Sequence, residues 1–295
     1  MSPRVAILGT GRMGSAFARR LAQLEPALWN RSRARADHVG VGWVAANPAA
    51  AVRDADIVIT SLTGPDALRN AFGGPDGALA AAHGQLFIEM STSGTEFLEE
   101  IEPQLRERAS SLIDAPILGS PLVVRQGRAA ILMGGAAADQ QRARPVLELL
   151  GEVRSIGPLG SGARLKLVAN SMLAAITVAA AELQVAGEAA GLGENEVFWA
   201  LARLAPGLEA RRAGYLERRH EPTLFAVRDL GKDLDLALQL FHRSPAQAPL
   251  TTLVRGLVKE AAEIAGDLDI TAVIERYGPA AIADDGRQAR LGSAA

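Results

Sequence analysis

The sequence predicts an α/β domain that is followed by an all-helical domain. A glycine-rich turn follows the first short apolar run, and further short apolar runs then alternate with helical segments as far as residue 160. After Gly162 only helical patterns continue. Strands that alternate with helices of about 10–15 residues are typical of parallel βαβ units whose sheet is covered on both faces. We therefore expect residues 1–160 to form the α/β domain and residues 161–285 to form the helical domain.

The individual elements follow from short apolar runs and from helical periodicity. The predicted strands are residues 5–8, 27–29, 55–60, 85–90, 111–117 and 129–135. In the second domain one helix of about 29 residues, or ~43 Å, is predicted from residue 163. Further helical segments are predicted at 194–204, 223–243 and 250–266. The segment SIGPLGSGA, rich in glycine and proline, marks the domain boundary, and residues 286–295 are predicted to be a disordered tail.

Composition limits the classes of function. The chain has 295 residues, of which 48% are hydrophobic and 22% charged, which is enough for two domain cores. The net charge of −2 and the scattered arginines argue against a nucleic-acid interface. The sequence contains no cysteine, which excludes disulfides, zinc–thiolate sites and cysteine nucleophiles. We expect a cytoplasmic protein that binds small molecules and neither nucleic acid nor a membrane.

The four histidines of the chain do not indicate a metal site. The four histidines, none of which has metal-ligand spacing, are His38, His83, His220 and His242. We therefore expect no metal. His220, in the charged segment LERRHE, is predicted to be a solvated loop residue. Phe198 and Trp199 are predicted to pack between helices, with the alternative that one of them lines the cleft.

The stretch VAILGTGRMGSAF carries the pattern G-x-G-x-x-G between a predicted strand and a predicted helix. In such a turn Gly9 permits the tight bend, Gly11 lets the backbone approach a pyrophosphate, and Gly14 lets the helix pack on the strand. The N-terminus of the helix then offers N–H groups to the phosphates. Ordinary glycine turns match this pattern by chance, but its position at a strand–helix junction favours a dinucleotide-binding domain of the Rossmann type.

The residues after the second predicted strand favour NADP(H) as the cofactor. In an NAD site an acidic residue at this position binds the ribose 2′-hydroxyl. This chain has Asn30, Arg31, Ser32 and Arg33 instead, and its first carboxylate comes at Asp37. Because arginine makes bidentate contacts with phosphate, these residues are suited to a 2′-phosphate. The alternative interpretation is an exposed charged loop.

The predicted long helix carries a lysine among apolar neighbours. Lys166 and Asn170 are four residues apart and therefore lie on one face of the helix. Burial disfavours the charged form of a lysine, which makes Lys166 a candidate proton donor near neutral pH. The alternative is a lysine whose ammonium group extends from the start of the helix to solvent.

Several segments resemble the β-hydroxyacid dehydrogenase family, which includes 3-hydroxyisobutyrate dehydrogenases and semialdehyde reductases. GARLKLVAN matches the family element G-x-x-x-K-x-x-x-N. The segments that agree in order and spacing are ILGTGRMGSAFARRL, FIEMST, LIDAPILGSP and GKDLDLAL. The similarity extends over residues 4–285. It implies an NADP(H)-dependent oxidoreductase that transfers a hydride between nicotinamide and a small carbonyl or hydroxyacid compound, and a homodimer formed through the helical domain.

The resemblance also implies roles for individual residues. It makes Lys166 the catalytic acid/base and Asn170 its substrate-positioning companion, whereas Asp114 would be structural. The implied cofactor contacts are Gly9, Gly11, Arg12, Met13, Gly14, Asn30, Arg31, Ser32, Leu62, Thr63, Ser91, Thr92 and Lys232. The implied substrate contacts are Leu118, Gly119, Ser120, Lys232 and Asp235, with Asp235 beside Lys232.

Two departures from the family pattern leave alternatives open. Leu118 stands where the family has a serine that helps to hold the substrate carboxylate, and TSLTG lacks the usual proline. An imine reductase on the same fold is one alternative, which Leu118 favours and Lys166 opposes. A non-catalytic NADP-binding module for oligomeric assembly is another, and the presence of Lys166, Asn170 and Lys232 opposes it.

Overall fold

A computed structural model describes residues 2–243 and 247–277 of the chain. The chain divides into two compact units between Ala169 and Asn170. The first is an α/β unit and the second contains helices, so the predicted fold class is confirmed. The predicted disordered tail, residues 286–295, lies outside the described residues.

The first unit is built on one nine-stranded sheet. Its strands are β1 (Val5–Leu8), β2 (Ala27–Trp29), β3 (Trp43–Val44), β4 (Ile57–Thr60), β5 (Leu86–Glu89), β6 (Ser111–Asp114), β7 (Ile117–Leu118), β8 (Ala129–Gly134) and β9 (Gly151–Gly157). The strand order is β3-β2-β1-β4-β5-β6-β8-β7, and β9 pairs with β8. From β3 to β6 all neighbours are parallel, as the alternating sequence pattern predicts.

Helices cover both faces of this sheet. They are α1 (Arg12–Arg20), α2 (Arg33–Asp37), α3 (Pro48–Val52), α4 (Pro65–Phe72), α5 (Ala78–Ala81), α6 (Glu96–Arg106), α7 (Pro121–Arg125) and α8 (Ala137–Leu147). Consecutive residues of one strand belong to different buried clusters, with Ile7 in one cluster and Leu8 in the other. Because side chains alternate along a strand, this division shows that both faces of the sheet are buried.

The sheet departs from the parallel pattern at β8. This strand is antiparallel to β6 and β7 and parallel to β9. The predicted strand 111–117 is two strands, separated at Ala115–Pro116, because proline has no N–H to donate to a ladder. The sequence analysis did not predict β3 or β9. β3 has two residues and β9 is largely accessible, so neither presents an apolar run.

The second unit is formed by helices. They are the later part of α9 (Ser161–Ala189), then α10 (Glu194–Leu204), α11 (Arg212–Leu216), α12 (Val227–His242) and α13 (Pro249–Ala265), with 3₁₀ segments at Pro206–Arg211 and Ile270–Tyr277. Within the described part of this unit, the only β pairing is an isolated bridge between Ala226 and Asp269. The predicted helical character is therefore confirmed for the part that the structure describes.

Helix α9 has 29 residues, the predicted length, and begins in the first unit. It is long and apolar enough to cross a membrane, a test that the core helix of a soluble protein also passes. Its side chains Leu165, Val168 and Met172 are exposed by 38%, 48% and 61%.

Two side chains of the second unit lie in surroundings that the sequence analysis did not predict. His220 is buried, not solvated, and its Nδ1 and Nε2 lie 2.9 Å from Thr271 Oγ1 and Glu275 Oε1. Trp199 is 64% exposed, while the neighbouring Phe198 is buried as predicted. On α10 these two residues are 100° apart, so only one of them can face the core.

Candidate active site

The glycine turn between β1 and α1 has the geometry of a phosphate-binding turn. Gly9 has φ +103°, and a Cβ at Gly9 would lie 2.2 Å from the carbonyl oxygen of Ser61. A Cβ at Gly14 would lie 1.8 Å from the Gly9 oxygen, so the helix packs against the turn only with glycine there. At Gly11 a Cβ would meet no atom within 4 Å. This open side, at the N-terminus of a nine-residue helix, is where a pyrophosphate would approach.

The side chain of Asn30 connects this turn to the segment after β2. Its Oδ1 accepts a hydrogen bond of 3.1 Å from the Thr10 N–H, and its Nδ2 donates one of 3.1 Å to the Ser32 carbonyl oxygen. The amide therefore fixes the start of a segment in which Arg31 is exposed. The Thr10 hydroxyl is buried and has no hydrogen-bond partner among the described residues. Because buried polar atoms are usually paired, this hydroxyl in the turn is suited to a hydrogen bond with a bound dinucleotide.

The segments after β4 and β5 are joined by a hydrogen bond. The Leu62 N–H donates to Ser91 Oγ over 2.9 Å. The predicted cofactor residues Leu62 and Ser91 therefore lie together at the carboxyl edge of two adjacent parallel strands. Thr63 and Thr92 follow them in the chain and are exposed and half-buried, respectively.

Sequence analysis missed an acidic residue beneath these segments. Glu89, the last residue of β5, is 3% exposed and accepts hydrogen bonds from Thr60 Oγ1 (2.8 Å), the Ser91 N–H (2.8 Å) and Ser93 Oγ (3.4 Å). Burial raises the pKa of Glu89 to about 7, although these hydrogen bonds oppose the rise. An acid within the apolar run LFIEM was the available signal.

Asp114, at the end of β6, anchors the first turn of α9. Its carboxylate oxygens accept hydrogen bonds from the N–H groups of Gly160 (2.7 Å) and Ala163 (2.6 Å). A Cβ at Gly162 would lie 2.0 Å from the Leu132 oxygen and 2.9 Å from Asp114 Oδ2. Burial raises the pKa of Asp114 above its ordinary value, and the two N–H donors oppose the rise. The helix that carries Lys166 is thus fixed to the sheet by a buried carboxylate.

The substrate element predicted at residues 118–120 lies between β7 and α7. Leu118 is 36% exposed, and Gly119 has φ +150°. Ser120 is the N-cap of α7, and its Oγ accepts from the Val123 N–H over 3.5 Å. Its hydroxyl proton remains available, because capping uses the oxygen as an acceptor.

Lys166 and Asn170 lie one turn apart on α9. Lys166 is half-buried, and Asn170 is 3% exposed. Asn170 Nδ2 donates to Asp233 Oδ2 over 2.6 Å. This bond uses one of the two N–H donors of Nδ2 and fixes the amide orientation, with Oδ1 as the acceptor of the Asn170 side chain.

Asp233 also binds the neighbouring predicted residue, Lys232. The distance from Lys232 Nζ to Asp233 Oδ1 is 2.5 Å. The sequence analysis placed Asp235 beside Lys232, but Asp235 forms a two-bond pair with Arg255 of α13, at 2.5 and 2.8 Å. Asp233 follows Lys232 in the matched segment GKDLDLAL but was not assigned a role, because its burial and its bond to Asn170 depend on tertiary contacts. Among the described residues, no group of three or more histidines and acids could hold a metal ion.

Comparison with protein families decides the class of this site. The model described as the NAD binding domain of 6-phosphogluconate dehydrogenase matches residues 4–160. The model described as NAD-binding of NADP-dependent 3-hydroxyisobutyrate dehydrogenase matches residues 160–277. The chain belongs to the 3-hydroxyisobutyrate dehydrogenase family of oxidoreductases. The family resemblance and the dinucleotide-binding character of the first domain are therefore confirmed.

Relatives in this family have different names. The chain is 31% identical over 283 residues to the uncharacterized oxidoreductase YfjR of Bacillus subtilis, covering 92% of this chain and 99% of that one. It is 27% identical to the chloroplastic glyoxylate/succinic semialdehyde reductase 2 of Arabidopsis thaliana, covering 92% and 78%. It is 30% identical to the NAD-dependent L-serine dehydrogenase of Pseudomonas aeruginosa, covering 87% and 91%.

Solved structures show the same fold. The 3-hydroxyisobutyrate dehydrogenase of Mycobacterium tuberculosis with L-serine has a TM-score of 0.81 and 27% identity, covering 94% of this chain and 99% of that chain. An imine reductase from Myxococcus stipitatus in complex with NADP⁺ has a TM-score of 0.60 and 20% identity, covering 93% and 99%. The second comparison shows a shared fold alone. The match to the 3-hydroxyisobutyrate dehydrogenase structure covers both units of this chain.

Proposed function

We propose that this protein is an NADP(H)-dependent reductase, or the reverse dehydrogenase, of small carbonyl or hydroxy compounds, with Lys166 as the general acid/base. The observation that carries the proposal is the 2.6 Å hydrogen bond from Asn170 to the buried carboxylate of Asp233. It orients an amide one helical turn after Lys166. A buried polar group that is fixed in this way is typical of a pre-organised site.

The bound nicotinamide supplies or accepts the hydride. In the direction of reduction Lys166 gives its proton to the carbonyl oxygen as negative charge develops there, and in oxidation it takes the proton back. Asn170 Oδ1 accepts a hydrogen bond from the Lys166 ammonium group or from the substrate hydroxyl. Lys232 and Asp233 keep opposite charges together, which limits the cost of burying each one.

NADP(H) is proposed over NAD(H) because of the segment after β2. Arg31 is exposed there, and the first acid, Asp37, pairs with Arg33 over 3.7 Å. No carboxylate in this segment precedes Asp37, so a ribose 2′-hydroxyl lacks its usual acceptor. The relative from Pseudomonas aeruginosa is named NAD-dependent, so the family includes members with the other preference.

The proposed substrate is an aldehyde or keto acid, with apolar aldehydes favoured relative to other members of the family. Leu118 presents an exposed isobutyl group beside Gly119 and the capping residue Ser120. A carboxylate facing that group would lose a hydrogen bond and part of its solvation. Backbone N–H groups of Gly119 and Ser120 weaken this effect, so small acids remain substrates.

A homodimer formed through the helical unit is part of the same proposal, as is a cytoplasmic location. Large apolar side chains with more than 60% exposure occur on α9, α10 and α13 and in the loop after α9. They are Met172, Leu192, Trp199, Leu204, Leu250, Leu253 and Ile264. We take these exposed apolar side chains as support for a protein–protein interface on the helical unit. Light scattering at micromolar concentration tests this part, and a fully active monomer would contradict it.

The decisive experiment measures turnover with NADPH and with NADH against aldehydes, keto acids and cyclic imines. We expect NADPH-dependent reduction of aldehydes or keto acids. Turnover of imines alone would favour the imine reductase alternative, for which Leu118 is the supporting observation. Cofactor binding without turnover of any carbonyl or imine substrate would favour a non-catalytic module.

A further inference from the structure

Glu89 is a buried carboxyl group that has no role in the proposed catalytic steps. Its register neighbours at the carboxyl edge of the sheet are Thr60 on β4 and Asp114 on β6. The groups that donate hydrogen bonds to it, from Thr60, Ser91 and Ser93, are all neutral. A negative charge at Glu89 is therefore held inside the unit by dipoles alone, where an additional positive charge nearby would have a large effect.

Glu89 is linked to both segments that follow β4 and β5. Ser91 donates its backbone N–H to Glu89 Oε1 (2.8 Å), and its Oγ accepts from the Leu62 N–H (2.9 Å). The Glu89 carboxyl group is therefore hydrogen-bonded to Ser91, and Ser91 is in turn hydrogen-bonded to Leu62. The family resemblance implies that both residues contact the cofactor near the nicotinamide ribose, so this inference rests on the proposed function.

The site can hold a proton without leaving a polar group unpaired. The Thr60 hydroxyl has two acceptors within reach, Glu89 Oε2 at 2.8 Å and the Ile88 carbonyl oxygen at 3.4 Å. When Glu89 is ionised, Thr60 donates to it. When Glu89 is protonated, it can donate to Thr60 Oγ1, and the Thr60 hydroxyl then turns to Ile88. Burial raises the pKa of Glu89 to about 7, so both forms are populated near neutral pH.

The other charged groups on the surrounding elements of this unit include Asp114, Arg164 and Lys166. The Asp114 carboxylate accepts hydrogen bonds from N–H groups at the start of α9, and the positive charge of Arg164 on α9 opposes the rise in the pKa of Asp114 that burial causes. Lys166 lies two residues further along α9. Helices α4 and α6 pack apolar side chains against this face of the sheet, namely Leu68, Phe72, Phe97, Leu98 and Ile101. Their charged residues Asp66 and Glu100 both pair with Arg69 at the surface.

We propose that Glu89 links the oxidation state of the bound nicotinamide to a proton: its carboxylate favours the oxidised cofactor, and its carboxylic acid form favours the reduced cofactor. The oxidised ring carries one more positive charge than the reduced ring, and the two cofactors are otherwise the same. Because linkage is reciprocal, binding of the oxidised cofactor releases a proton from Glu89. Glu89 acts through this charge and is not a catalytic residue.

The test compares the dissociation constants of NADP⁺ and NADPH at pH 6, 7 and 8. In the native protein the ratio Kd(NADP⁺)/Kd(NADPH) should fall about fivefold or more between pH 6 and pH 8, a typical size for a coupling. The 2′-phosphate titrates in both cofactors, so the ratio cancels its contribution. Glu89→Gln should give a ratio that does not change with pH. The matched control Glu99→Gln, at an exposed acid of α6, should behave like the native protein.

Calorimetry in buffers of different ionisation enthalpy gives a second readout. Near pH 7 the proton release on NADP⁺ binding should exceed that on NADPH binding by a fraction of a proton in the native protein, and the two should be equal in Glu89→Gln. A native ratio that is independent of pH would overturn the inference. So would a Glu89→Gln variant that retains the pH dependence, which would assign it to another group such as Lys166.

Two further arms keep the inference separable from the proposed function and from folding. A native protein that binds neither NADP(H) nor NAD(H) would refute the proposed function, whereas binding with a flat ratio refutes this inference alone. If NAD(H) is the pair that binds, the same ratio is measured with it. If Glu89→Gln does not fold, Thr60→Val replaces it. Loss of that donor should move the midpoint of the pH dependence upward, and an unchanged midpoint would contradict the inference.

Discussion

The Asp114 carboxylate accepts a 2.6 Å hydrogen bond from the N–H of Ala163, three residues before Lys166. A second bond, from the Gly160 N–H, completes the anchor. Asp114 is 1% exposed, so water does not replace either bond if the carboxylate is lost. The residue that the sequence analysis treated as structural therefore determines where the helix with the proposed acid/base begins.

Asp114→Asn should lower kcat by about tenfold to a hundredfold, since small displacements of a catalytic group have effects of that size. It should also destabilise the protein by about 1–3 kcal/mol, because one buried N–H loses its acceptor. The Kd of NADPH should change little. Stopped-flow rates, thermal unfolding and fluorescence titration measure the three quantities, and Asp54→Asn is an exposed control. Equal losses in kcat and cofactor affinity would contradict a role in positioning Lys166.

Arg31→Ala should weaken NADPH binding by about 10- to 150-fold and leave NADH binding nearly unchanged. The expected loss corresponds to one charge-assisted hydrogen bond, roughly 1.5–3 kcal/mol. Titration of both cofactors into the variant measures it, with Arg35→Ala as a control at an exposed arginine of α2. Similar losses for NADPH and NADH would show that Arg31 does not bind the 2′-phosphate.

Lys166→Ala should reduce the chemical rate by about 10²–10⁴-fold, the usual effect of losing a positioned acid. The Kd of NADPH should be retained, because the proposed role is at the carbonyl group. Single-turnover kinetics separates the two quantities, and Lys259→Ala removes an exposed lysine from α13 as a control. Near-normal turnover of the true substrate by Lys166→Ala would rule out the proposed acid.

Leu118→Ser should raise kcat/KM for a short semialdehyde acid and have little effect on an uncharged aldehyde of the same length. The added hydroxyl replaces a hydrogen bond of about 1–3 kcal/mol that a carboxylate lacks beside leucine. Leu122→Ser, at a 50% exposed position of α7, is the control. No gain on the acid would mean that Leu118 does not line the carboxylate site.

The stability of Glu89→Gln relative to the native protein should increase between pH 5 and pH 8. The pKa of Glu89 is about 7 in the folded chain and 4.5 as the ordinary value. Between these values the folded state holds more protons than the unfolded state, so the native protein loses stability as pH rises. The full difference is on the order of 3 kcal/mol. Thermal unfolding of both proteins across pH 5–8 should show their Tm difference growing in favour of the variant, and a constant difference would contradict the buried titration.

The positions of most strands along the chain and the cofactor turn could be predicted because short apolar runs and glycine spacing are local signals. Strands β1 and β2 have the predicted limits, and the three glycines have the steric surroundings that the pattern requires. β9 was missed because its sequence, GEVRSIG, presents no apolar run, and its pairing with β8 is set by tertiary structure.

The polar residues of the site were predictable only where a family motif contained them. Asp233 and Glu89 lie within the matched segments GKDLDLAL and FIEMST, but the match alone did not indicate that either carboxyl group is buried and bound to polar partners. Their importance comes from partners 63 and 29 residues away, at Asn170 and Thr60. Such contacts depend on how α9 meets α12 within the second unit and how β4 pairs with β5, and no local pattern encodes them.

The lack of space at Gly162 has a consequence for interpreting natural variation. Any side chain at this position would meet the Leu132 oxygen, and relief would require the first turn of α9 to move away from the sheet. Lys166, one turn later, would move with it. A Gly162 variant would therefore show the kinetics of a defective proton donor while every reacting group remains in the sequence. The glycine of the G-x-x-x-K element allows α9 to approach β8 closely, and the position of the lysine depends on that contact.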